Sequence, residues 1–123
     1  MSLNDGLTFY QWIDKCLEEK WPENICFNLY EGEDPYRYHV QIIGSSSYDP
    51  DGEWVCDEEK STEENVFYFS EKEAGKTWSE GLDYIHGEVK KYLEQGKKSQ
   101  DLKNKNIVAI GFVDGDLELV YEK

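Results

Sequence analysis

The chain is poor in cysteine, in basic residues and in long apolar runs, and each shortage narrows what it can be. Three cysteines in 123 residues, odd in number and without a Cys-x-x-Cys pair, argue against a disulfide framework or a close-spaced zinc site. Cys16 falls on an apolar helical stripe, and Cys26 and Cys56 fall in expected strands, so all three read as buried, reduced thiols. Lys and Arg number 13 against 27 Asp and Glu, which leaves a net charge of −14. Such a field repels nucleic acid and anionic membranes and attracts basic proteins or cations. No apolar run approaches the roughly 20 residues of a membrane span. The N-terminus lacks a basic start followed by an apolar signal segment, and the expected location is cytoplasmic. Glycine forms no phosphate-binding loop, since Gly111 and Gly115 belong to a strand and a turn. His39 and His86 have no partner at a catalytic spacing, so no enzyme and no cofactor are expected.

What is present supports one α+β domain over residues 1–123, since 38% hydrophobic and 15% aromatic residues suffice for a core. The stretch Asn106–Lys123 reads as a β-hairpin turning at Asp114-Gly115, the dipeptide a type I′ turn prefers. Folded there, Phe112 would face Leu117 and Ile110 would face Leu119. One side would carry Val108, Ile110, Phe112, Leu117, Leu119 and Tyr121, and Glu118 would point the other way. The first strand is apolar on both faces and should be central, with the second nearer an edge.

Upstream, Thr8-Phe9-Tyr10-Gln11 fits a capping box opening a helix from about Thr8 to Lys20, which Pro22 should end. Its apolar stripe is Phe9, Trp12, Ile13, Cys16 and Leu17. Strands are expected over Asn24–Tyr30, Tyr36–Ile43, Glu53–Asp57 and Asn65–Ser70. A second capping box, Thr77-Trp78-Ser79-Glu80, opens a helix whose stripe is Trp78, Leu82, Ile85, Val89, Tyr92 and Leu93, with Gly96 as its stop. Lys97–Lys105 reads as a solvated linker with room for one helical turn. The order α-β-β-β-β-α-β-β implies a largely antiparallel sheet of about six strands with two amphipathic helices.

The acidity is lopsided. Residues 1–75 hold 18 acids and 5 bases, net −13, whereas residues 76–123 hold 9 acids and 8 bases, net −1. Within the first part, Asp49, Asp51, Glu53, Asp57, Glu58, Glu59, Glu63 and Glu64 surround a single Lys60. Asp49-Pro50-Asp51-Gly52-Glu53 lacks most of the oxygen ligands calcium needs and reads as a turn, so no metal is expected. Aromatic residues among charge of one sign suit a protein interface: charge speeds encounter and rigid rings anchor. The candidate partner-binding residues are Tyr36, Tyr38, Tyr48, Asp49, Asp51, Trp54, Asp57, Glu58, Glu59, Glu63 and Glu64, with Tyr68 as a further anchor. If the rings are core and the acids merely solvated, the charge serves solubility alone.

A small acidic α+β chain closing in IGFVDGDLELVYEK resembles the immunity proteins encoded beside bacterial polymorphic or contact-dependent toxins. That resemblance implies a cytoplasmic inhibitor that neutralises a cognate toxin, often a basic nuclease, by stoichiometric binding. It carries over no catalytic residue. The expected partner is therefore a basic protein, bound 1:1 by a chain that is otherwise monomeric. A stand-alone structural or regulatory domain is the alternative, with a cation-binding protein or an enzyme third.

Overall fold

Thr8 caps the first helix as its sequence suggests. Its hydroxyl accepts from the Gln11 N–H at 3.1 Å, and the Gln11 amide accepts from the Thr8 N–H at 2.9 Å. In the computed structural model, which describes residues 6–31, 38–47, 59–62, 65–112 and 117–123, this helix, α1, spans Phe9–Cys16. It stops well short of Pro22. The Trp21 indole folds back and donates to the Cys16 carbonyl at 2.8 Å, satisfying an acceptor that a helix end leaves open.

Two eight-residue strands follow, β1 (Asn24–Glu31) and β2 (Tyr38–Ser45), paired antiparallel with Phe27 opposite Ile42 and Leu29 opposite Val40. The two-residue β3 (Lys60–Ser61) lies within what the sequence marks as an acidic connection. It shares the outer edge of β2 with β4 (Phe67–Phe69). The expected strand Glu53–Asp57 lies outside the described residues. A short helix α2 (Glu71–Ala74), capped by Ser70 and Glu73, leads into α3 (Trp78–Gln95). The linker beyond holds α4 (Ser99–Lys103), and the chain closes with β5 (Ile107–Phe112) and β6 (Glu118–Glu122).

The sheet order is β3-β2-β1-β5-β6, with β4 also on β2. All pairs are antiparallel except β1 with β5, which run parallel with Phe27 beside Ile110. Since β4 and β5 therefore point the same way, the chain must return along the sheet between them. The 18-residue α3, about 27 Å long, makes that return. As expected, β5 is central and β6 is an edge.

The main core lies between the helices and one face of the sheet. Trp12 and Ile13 of α1 and Ile85 and Val89 of α3 meet Phe27, Leu29, Val40, Ile42 and Ile110 there, all essentially inaccessible. Tyr92 ties the helices together: its hydroxyl donates to Asp14 of α1 and accepts from the Lys98 N–H before α4. The opposite sheet face holds a smaller cluster of Cys26, Ile107 and Ala109, with Leu117 against it.

Two expected placements are corrected. The closing hairpin is shifted by one residue over part of its length: Ile110 faces Glu118 and Ala109 faces Leu119, whereas Val108 faces Tyr121 as expected. Val120 is the extra residue of a bulge, and Leu119 and Glu118 change side. Leu119 consequently lies 52% exposed beside Ala109, while Glu118 reaches the helix side and meets His86 at 2.8 Å. The Asp114-Gly115 turn itself lies outside the described residues. Trp78, assigned above to the core stripe of α3, is 59% exposed. Gly81 takes the place facing the sheet, because the Tyr38 ring lies where a side chain would begin: a Cβ on Gly81 would stand 2.7 Å from the ring.

Candidate interaction surface

Of the eleven candidate contact residues, Tyr38 and Glu59 are among the described residues. Tyr36, Tyr48, Asp49, Asp51, Trp54, Asp57, Glu58, Glu63 and Glu64 lie outside them. Tyr38 is corrected. It shares the helix-facing side of β2 with Val40 and Ile42, is fully buried, and its hydroxyl donates to the Thr77 carbonyl at 2.7 Å. Strand alternation sends it inward, so it supports the core.

Glu59 is exposed. Its N–H donates to the Gly44 carbonyl at 2.8 Å, and its carboxylate accepts from the Ser46 hydroxyl at 2.8 Å and from the Ser46 N–H. Those bonds, the hydroxyl's first, hold its pKa below the ordinary range and keep it charged at neutral pH. Glu59 is thus pinned, ionised, to the end of β2.

Tyr68 takes the other parity. It stands opposite His39, which stands opposite Tyr30, and the three rings form a row across β4, β2 and β1 on the face away from the helices. Tyr30 and His39 stack at 4.9 Å with 9° between planes, and His39 and Tyr68 lie 5.7 Å apart. Asn28 donates to the Tyr30 hydroxyl at 3.3 Å. Burial lowers the His39 pKa, so the imidazole is uncharged at pH 7.

Lys60, the one base within the acidic stretch, does little to offset it. Lys60 lies over the Trp21 ring at 4.7 Å, donates to the Lys20 carbonyl and pairs with Glu19 at 3.6 Å. Its charge is spent locally. Trp78, read from the sequence as core, is the large exposed aromatic among the described residues, its ring edge-on to Phe112 at 6.4 Å. Its sequence position matches the helical stripe, and only the neighbouring glycine at 81 signals that the face there belongs to another ring.

Burial pushes the thiols of Cys16 and Cys26 up to about 12, which makes both poor nucleophiles. Among the described residues, no group of three or more His, Cys, Asp or Glu is placed to hold a metal ion, and no helix is long and apolar enough to cross a membrane. No protein-family model, curated protein or solved structure matches the chain.

Proposed function

We propose that the chain is a non-enzymatic acidic binding module that engages a basic protein 1:1. In the manner of a toxin-immunity protein, it would neutralise a basic toxin such as a nuclease in the cytoplasm. The observation that carries this reading is the one-sided charge: 18 acids against 5 bases in residues 1–75, with Lys60 already engaged by Glu19 and Trp21. A field of that sign accelerates encounter with a basic surface and suppresses binding to nucleic acid.

The test is stopped-flow association with the basic product of the adjacent gene at stepped salt. The rate falls as salt shortens the field to about 8 Å at physiological strength. Reversing Asp57, Glu58 and Glu63 to Lys slows association at low salt, and the gap closes at high salt. Glu59 is spared because its carboxylate holds Ser46. Equal low-salt rates for wild type and variant would leave the acidity a solubility device in a stand-alone domain.

A further inference from the structure

Between the start of α1, β4 and α3 opens a cleft of about 340 Å³. Tyr10 and Tyr84, both partly exposed, supply aromatic wall, the nearly buried Phe9 and Phe69 complete the lining, and Glu73 and Glu88 stand in it too. No basic side chain is among its described lining residues. The rings are fixed by one another: Phe9 packs on Phe69 at 5.1 Å, Phe69 meets Tyr84 edge-on at 5.8 Å, and Tyr10 meets the buried Tyr92 edge-on at 5.4 Å. Glu73 is also held in place, since its carboxylate accepts from the Ser70 N–H and hydroxyl, both at 3.2 Å. Glu88 has no ion-pair partner among the described residues.

Burial first, and then the charge of Glu88, raise the pKa of both Tyr10 and Tyr84, and Glu73 adds to the effect on Tyr84. Glu88 therefore acts on both ring hydroxyls, and Glu73 on that of Tyr84, from within one small space. An anion is repelled here, and a neutral apolar group would strip water from two carboxylates without replacing it. A cation gains from both components, because aromatic faces attract positive charge and carboxylates accept its hydrogen bonds. Between the two cationic side chains, the planar guanidinium is the better fit: it stacks on rings while donating in its plane, and it holds its water less tightly than an ammonium.

We propose that this cleft receives an arginine side chain presented by the partner. The inference rests on the reading of the chain as an acidic module for a basic protein, and it gives that module a fixed anchoring point outside the Asp49–Glu64 stretch.

The experiment is an NMR titration of the intact chain with the blocked tripeptide Gly-Arg-Gly, beside its citrulline analogue, which keeps the shape and loses the charge. The arginine peptide shifts the ring resonances of Tyr10, Tyr84 and Phe69 saturably, and the citrulline peptide does not. Glu88→Gln, which preserves size, weakens binding about tenfold, the loss expected for one charge-assisted hydrogen bond. Asp83→Asn removes an exposed charge from α3 outside the cleft lining and leaves the affinity unchanged. Non-saturating or distant shifts overturn the proposal. So does equal binding of the citrulline peptide, which would mark an apolar groove, or an equal effect of the two substitutions, which would mark a diffuse field. If the tripeptide fails while salt-dependent association with the basic partner persists, the cleft assignment falls alone; if both fail, the binding-module reading falls too.

Discussion

Tyr38 and Tyr68 sit on paired neighbouring strands, yet one closes the core and the other joins the outer ring row. Parity decides this, since adjacent residues of a strand face opposite ways. Parity likewise places Cys26 on the sheet face opposite the helix core, while Cys16, the last residue of α1, belongs to the main core. With thiols pushed up to about 12, only on the order of one molecule in ten thousand carries the reactive thiolate at pH 8. In a Cys56→Ser background, which leaves these two thiols, Ellman's reagent should find no fast-reacting thiol in the native protein and two after urea. A fast native reaction would show one of these faces open to solvent. The same groups set an alkaline limit. Their folded pKa lies above the ordinary 9.0, so their stabilising contribution is full below pH 9 and is lost as pH climbs towards 12. Tyr92, raised by burial and by its bond to Asp14, acts in the same direction above its ordinary 10.0. The urea midpoint should hold between pH 7 and 8.5 and decline above 9.

At the scale of elements, the helix starts follow local chemistry and the far ends do not. Thr8 with Gln11 and Thr77 with Glu80 cap within four residues of chain. The end of α1 depends instead on Trp21, and Gly96 after α3 is extended (φ −71°, ψ 151°), with the Tyr92 ring filling the space a side chain would need. The hairpin carries the sharpest test. Leu119→Asp, at a half-exposed edge position, should change stability by no more than about 0.5 kcal/mol. Ile110→Asp buries a charge in the main core and should cost several kcal/mol, enough to unfold a domain of ordinary stability. Similar urea midpoints for the two would restore the unbulged pairing of Ile110 with Leu119.

Across the whole molecule, −14 charges on a 123-residue chain repel one another in the folded state more than in the expanded one. Raising NaCl from 10 to 150 mM shortens the screening length from about 30 to about 8 Å, and the urea midpoint should rise with it. A flat response would mean that the acids already stand too far apart to interact. The arrangement also divides labour between two sides of the sheet. The helices seal one face, and the cleft at the α1–β4–α3 junction and exposed Trp78 lie on that side. The Tyr30–His39–Tyr68 row lies on the other.

The sequence by itself determined what depends on near neighbours along the chain. Both capped helix starts, the alternation of β1 and β2, the central place of β5 and the α+β class were all legible. Each follows from hydrogen bonds or side-chain periods spanning a few residues. Only tertiary structure decided where distant residues compete for one space. The Tyr38 ring claims the site at Gly81 and leaves Trp78 outside, Trp21 closes α1, and the bulge at Val120 lets Glu118 reach His86. The parallel join of β1 to β5 belongs to the same group, because strand periodicity is identical in either direction and the crossing of α3 selects one. The cleft proposed for arginine is likewise tertiary: the i, i+4 spacing of α3 sets Tyr84 beside Glu88, but no local pattern brings Tyr10 and Phe69 to them.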